Sequence, residues 1–357
     1  MTAYLALVGA VGDGVTNLAN SFGASPQVLD SAVSLQLENL QEQNFHSASG
    51  YLSLENLLAG LALKETSTSA EEVGEIKEET LVSEAPSNNL AEAIVNIYCT
   101  QIVDGYKKSI SGTGFLVSEN GVILTNAHMA QFLLLEKANI FGEVECSIRT
   151  GADIGASYDV DLLYISPSWI IANADLITSS APKGTGESDF ALLYITDYPA
   201  SGLPYLNIDT DYLPTNIKGQ TVILVGYPQL TGRDDTDTSS ARKMATTTVP
   251  EIYTFGGERY VDIFTLAGSI LGAQGASGGP VLNEEGKVIG VISTRGDDEK
   301  YGKGSLRAIT TSYIDRSIES ETGYSLRSTM SGDLVRRAQI FKDTLTPILS
   351  GLLADQI

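Results

Sequence analysis

Residues 114–125 constrain the fold of this chain more than any other stretch. Gly114-Phe115-Leu116-Val117 and Val122-Ile123-Leu124-Thr125 are two β-prone runs, separated by Ser118-Glu119-Asn120-Gly121. Asn-Gly accepts the positive φ angles of a tight turn, so the stretch predicts an antiparallel hairpin. The same texture recurs in Ala93–Cys99, Glu143–Arg149, Asp159–Ile165, Phe190–Ile195, Thr221–Val225, Tyr260–Leu266 and the pair of runs within 281–293. Many short strands between turns specify a mainly β, antiparallel barrel or sandwich. Among them, Thr231 to Thr248 is polar and reads as a mobile loop.

The flanks carry a different period. Residues 1–63 read as helical: Ser25-Pro26 is a helix start, and Val28, Ala32, Leu35, Leu37 and Leu40 follow at mostly helical spacing. A second helix is expected over Leu54–Leu63, with His46 an ordinary polar residue between the two. The first residues, Thr2 to Val11, are apolar but too short to span a bilayer and lack a basic leader region. Membrane association is therefore expected only through a weak or missing N-terminal anchor. Residues 64–89 place seven glutamates among Ser, Thr and Ala, which predicts a solvated, disordered acidic linker. At the other end, 317–357 reads as an amphipathic helix, with Leu334, Val335, Ala338, Phe341, Leu345, Ile348, Leu349 and Leu352 on its apolar side and a kink expected at Pro347.

A formal net charge of −22 argues against nucleic-acid binding, which needs clustered Lys and Arg. Two histidines and two cysteines without zinc-type spacing leave no metal site and no cofactor in prospect. The cysteines, Cys99 and Cys146, are either one disulfide or two buried thiols.

Chemistry concentrates in Gly275-Ala276-Ser277-Gly278-Gly279-Pro280. The glycines put Ser277 on a tight loop just before a β-hairpin, Val281-Leu282 and Val288–Ser293 around the turn at Asn283–Lys287. Such a loop presents a hydroxyl together with backbone N–H groups, as a serine nucleophile and its oxyanion require. A serine nucleophile needs a base, and His128 is the one histidine of the β region, at the end of the strand Leu124-Thr125-Asn126-Ala127-His128. The base needs an acid to fix its tautomer. Asp189 stands where a loop runs into Phe190-Ala191-Leu192-Leu193, with Asp159, Asp161 and Asp175 as rivals.

Thr125-Asn126-Ala127-His128, Asp189-Phe190-Ala191-Leu192-Leu193 and the Ser277 loop together resemble the trypsin-like, chymotrypsin-fold serine peptidases. Gly112–Val117, Val225-Gly226-Tyr227-Pro228 and Gly286–Val291 are closer to the bacterial HtrA-type branch, here without a PDZ-like domain. The resemblance spans roughly 90–316. It implies a double antiparallel six-stranded β-barrel with helical N- and C-terminal extensions and the active site between the barrels. It further implies a triad of His128, Asp189 and Ser277, and an oxyanion hole from the N–H groups of Gly275 and Ser277. Ala276 stands where the digestive enzymes pair an aspartate with a new N-terminus, so activity is expected without that cleavage.

The resemblance also places Leu271 at the floor of the P1 pocket, which implies a small-to-medium apolar P1 residue. Ser293, Thr294 and Arg295 would pair with the substrate backbone as an added strand. Cys99 and Cys146 would fall on neighbouring strands, and a disulfide between them would set the protein outside the cytoplasm. The sequence thus predicts an extracytoplasmic serine endopeptidase acting on protein or peptide substrates. Its rivals are a catalytically silent trypsin-like fold used for binding, and an esterase or self-cutting enzyme with the same triad.

Overall fold

The computed structural model describes residues 88–103, 106–138, 144–150, 156–178, 184–198, 202–228, 242–255 and 260–356. All of them lie in a compact unit spanning Leu52–Ile357. The expected N-terminal helices, His46, and the linker up to residue 87 lie outside the described residues. The linker's last two positions do not: Asn88 and Asn89 open helix α1 (Asn88–Ala93), which leads straight into the first strand.

Two antiparallel sheets follow. The first contains β1 (Ile94–Val103), β2 (Tyr106–Leu116), β3 (Val122–Thr125), β4 (Val144–Thr150), β5 (Ala156–Tyr158), β6 (Val160–Ile165) and β7 (Ala191–Ile195), in the order β5-β4-β1-β2-β3-β7-β6. The second contains β8 (Thr221–Gly226), β9 (Lys243–Thr248), β10 (Ile252–Tyr253), β11 (Ile263–Leu266), β12 (Pro280–Leu282), β13 (Val288–Arg295) and β14 (Leu306–Thr310), in the order β10-β11-β14-β13-β12-β8-β9. This is the double-barrel architecture of the chymotrypsin type. Each sheet has seven strands where six were expected; β5 and β10, of three and two residues, are short edge pieces.

The Asn-Gly hairpin forms as its turn chemistry requires. Gly121 takes φ +77°, and the Val117 N–H closes the hairpin on the Val122 carbonyl at 2.8 Å. The expected loop 231–248 is corrected at its C-terminal end. Lys243–Thr248 is β9, paired with β8 along its whole length. Its β-branched threonines suit a strand whose Ala245 and Thr247 turn inward.

Helix α2 (Ala127–Ala138) follows β3 at once. It buries Met129, Ala130, Gln131, Phe132, Leu133, Leu134 and Leu135, with no polar face in that stretch. Such a helix must be covered on both sides. One side is the first sheet; the other is α7 (Leu334–Ala354), whose Leu334, Ala338, Phe341, Leu349 and Leu353 enter the same apolar cluster. The C-terminal segment is thus part of the core of the first sheet, and Pro347 sits inside α7 without ending it. Helices α3 (Pro167–Asn173) and α4 (Asp298–Tyr301) follow β6 and β13, and between β14 and α7 lie α5 (Thr311–Thr322) and α6 (Leu326–Thr329), so the expected boundary at 316 falls within a helix. Among the described residues, no helix is long and apolar enough to cross a membrane.

Candidate active site

His128 lies in the first turn of α2, three residues beyond β3, and not at a strand end as expected. The helix fixes it. The backbone N–H of His128, which has no intrahelical partner this early in a helix, donates to Asp189 Oδ1 at 2.9 Å. The ring Nδ1 lies 2.8 Å from Asp189 Oδ2. One carboxylate therefore holds both backbone and ring, and the Nε2 edge has no partner among the described residues. Gln131 Nε2 donates to the His128 carbonyl at 2.8 Å and secures the same turn.

Asp189 is almost wholly buried and precedes β7 (Ala191–Ile195) by two residues. Asn126 Nδ2 donates to its carbonyl at 2.9 Å. Ser293 Oγ, from β13 of the second sheet, donates to Oδ2 at 2.6 Å. Ser188, just before Asp189, has φ +56°, a left-handed conformation costly for a residue with a Cβ. Its hydroxyl lies 3.4 Å from Tyr313 Oη on α5. Burial alone pushes the His128 imidazole down; the charge and hydrogen bond of Asp189 outweigh it and leave the ring above the ordinary histidine value of 6.5.

The Ser277 loop is tied to the first sheet by one residue that the sequence reading did not single out. Thr113 of β2 donates its N–H to the Ser277 carbonyl at 2.8 Å and its hydroxyl to the Gly275 carbonyl at 2.6 Å. The same hydroxyl accepts the Tyr227 N–H at 2.9 Å, and the Thr113 carbonyl accepts Thr125 Oγ1 at 2.8 Å. Gly278 makes this approach possible. It has φ +84°, and a Cβ there would stand 1.9 Å from the Thr113 carbonyl oxygen. The N–H groups of Gly275 and Ser277 have no acceptor among the described residues, and Ser277 Oγ is not hydrogen-bonded to His128.

The other expected site residues are placed as follows. Leu271 is fully buried in the apolar cluster of the second sheet, with Val222, Leu224 and Leu266, so its side chain belongs to that core. Ser293 spends its side chain on Asp189. Arg295 is exposed and reaches the Gly272 carbonyl at 3.4 Å. Thr294 lies between them at the C-terminal end of β13. Asp161 pairs with Lys137 at 3.2 Å and takes no part in this arrangement. Cys99 and Cys146 stand directly opposite on β1 and β4, with Cα atoms 4.1 Å apart, and are joined as a disulfide.

Serine protease HTRA1 from Xenopus tropicalis and from Xenopus laevis are each 24% identical to the chain over 212 residues, covering 57% of this chain and 36% of theirs. The chain therefore spans about a third of the length of the curated relatives it matches. The solved structure of the active form of the Rv3671c protease from M. tuberculosis aligns with TM-score 0.42 and 17% identity, covering 71% of this chain and 95% of that one. The profile of the trypsin-like peptidase domain matches residues 112–291, which is 180 of 357 residues. This chain belongs to the trypsin-like peptidase domain family.

Proposed function

We propose that the protein is a serine endopeptidase working through His128, Asp189 and Ser277 and an acyl-enzyme intermediate. The observation that carries this reading is the double grip of Asp189 on the His128 backbone and Nδ1. It leaves Nε2 as the basic edge of the ring. In the proposed cycle Ser277 Oγ attacks the scissile carbonyl while His128 Nε2 takes its proton. Asp189 stabilises the imidazolium that forms. The carbonyl oxygen, now an oxyanion, is met by the N–H groups of Gly275 and Ser277, each worth on the order of 3 kcal/mol. His128 then protonates the leaving amine, and a water deprotonated by the same ring releases the acyl group.

Substrate is proposed to pair with Ser293–Arg295 as an added strand. Next to this edge the backbones of Gly272 and Gly304 pack closely: a Cβ on Gly272 would stand 2.1 Å from Gly304 Cα. With no acidic residue within 269–276, a small-to-medium apolar P1 side chain is proposed. The Cys99–Cys146 disulfide supports an extracytoplasmic location. The test is covalent labelling with a fluorophosphonate, alongside peptide hydrolysis. Wild type is expected to label and cleave; Ser277→Ala and His128→Ala are expected to lose labelling and at least about 10⁴-fold in kcat. The absent Ser277–His128 hydrogen bond favours a second reading, a silent fold used for binding. Catalytic hydrogen bonds often tighten only with substrate, and an unlabelled, folded wild type would decide for the silent fold.

A further inference from the structure

Beside the proposed substrate edge, three buried polar groups lie in one row across three strands. Thr265 on β11 stands opposite Arg307 on β14, and Arg307 stands opposite Thr294 on β13. Residues directly opposite in a ladder share a face, with Cβ atoms about 5 Å apart. Thr265 is fully buried. Thr265 Oγ1, Arg307 Nε and Thr294 Oγ1 are all buried, and none has a hydrogen-bond partner among the described residues. Arg307 is only partly buried and forms no ion pair among the described residues; its guanidinium sits 5.7 Å from the centroid of the exposed Tyr253 ring.

Three adjacent unpartnered groups on one face are costly in a folded protein, since each has given up water without replacement. Their chemistry is specific. A guanidinium offers a planar fork of N–H donors that matches a carboxylate, and two hydroxyls add donors beside it. At its Arg307 end the row meets the exposed Tyr253, whose ring supplies an apolar wall. It also adjoins the catalytic groups, since Thr294 follows Ser293, which holds Asp189. The nearby acids do not occupy Arg307. Asp297 Oδ1 accepts the N–H groups of Glu299 and Lys300, Asp298 Oδ1 accepts those of Gly304 and Ser305, and Asp262 pairs with Arg316.

We propose that Arg307, Thr294 and Thr265 form a subsite for the carboxylate side chain of an aspartate or glutamate in the bound peptide. The inference rests on the reading of Ser293–Arg295 as the substrate edge. A strand rises about 3.4 Å per residue, so the acidic residue lies within a few positions of the scissile bond. On a chain of net charge −22, acidic peptides are repelled overall, and a local cation is what admits one.

The test uses the full chain carrying Ser277→Ala, so that binding is measured without cleavage. Fluorescently labelled octapeptides place Glu, or Gln in its stead, at one position at a time. At one position the Glu peptide is expected to bind about tenfold more tightly than the Gln peptide. That ratio is expected to fall to about one on adding Arg307→Met, and to survive in part with Arg307→Lys, which keeps the charge and loses the fork. Near-UV circular dichroism checks the fold; should Arg307→Met fail to fold, Arg307→Lys carries the comparison. No Glu preference at any position, or a preference that persists without Arg307 in a folded variant, overturns the subsite. Fluorophosphonate labelling of wild type separates the two claims. Labelling without a Glu preference removes the subsite and keeps the peptidase; a Glu preference without labelling keeps the subsite and removes the peptidase.

Discussion

Asp189 accepts from three directions: the His128 backbone, the His128 ring and Ser293 Oγ. Its charge raises the imidazole above 6.5 against the opposing effect of burial. In the proposed mechanism the ring must be neutral to take the Ser277 proton. The kcat/KM profile is therefore expected to rise with pH through a midpoint above 6.5, and Asp189→Asn to lose about 10⁴-fold in kcat. A pH-independent rate between 5 and 8 would contradict the role of His128. Gly278 is the second decisive residue. A methyl there meets the Thr113 carbonyl oxygen at 1.9 Å and Thr125 Oγ1 at 2.4 Å, at φ +84°. Gly278→Ala is expected to cost about 3 kcal/mol or more in stability and to abolish labelling, read by urea unfolding and by the probe. A stable, labelled Ala variant would show that the loop can move away from Thr113.

Among the elements, α5 does the least visible and most consequential joining. It leaves β14 and carries Arg316 to Asp262, immediately before β11 of the second sheet. At its other end, Glu321 is met by the hydroxyls of Tyr164, Ser166 and Ser168 near the end of β6. Burial without a cation pushes Glu321 up to about 8 from an ordinary 4.5. The native state then keeps a proton that the unfolded chain releases near 4.5. This contribution to stability is full below about pH 4.5 and is lost as pH rises towards 8, at no more than about 1.4 kcal/mol per pH unit. Glu321→Gln, neutral throughout, is expected to flatten the fall between pH 5 and 8 in urea melts. Equal slopes in the two proteins would mean that Glu321 does not hold the proton. Tyr164 stacks on Phe190 with ring centroids 5.9 Å apart, so this contact lies one residue from Asp189.

At the scale of the molecule, the two sheets meet through buried polar links among the described residues. Thr113 binds the Ser277 loop, and Tyr227 Oη reaches the Ile94 carbonyl at 3.3 Å. The first sheet is further closed by Cys99–Cys146, across 47 residues of sequence. Loop-closure entropy assigns such a link about 4 kcal/mol. Reduction, or Cys99→Ser with Cys146→Ser, is expected to lower the Tm by several degrees while leaving the second sheet's arrangement intact. An unchanged Tm after verified reduction would mean that the link contributes little.

The sequence alone determined the antiparallel β architecture, because a two-residue period and an Asn-Gly turn are local properties. It also singled out His128, Asp189 and Ser277 as the residues to examine, because a serine, a histidine and an acid in motif context are scarce in a chain with two histidines. It did not place His128 on a helix, because α2 is apolar all round and its periodicity is invisible without the α7 cover. β9 was hidden for a related reason: its threonines look like a loop until β8 pairs with them. Only the tertiary structure decided that Leu271 belongs to a core, that Ser293 serves Asp189, and that Thr113 holds the Ser277 loop. The row of Thr265, Arg307 and Thr294 lay equally out of reach. These are contacts between residues from about a dozen to more than a hundred positions apart, set by strand register and packing, for which neighbouring letters carry no signal.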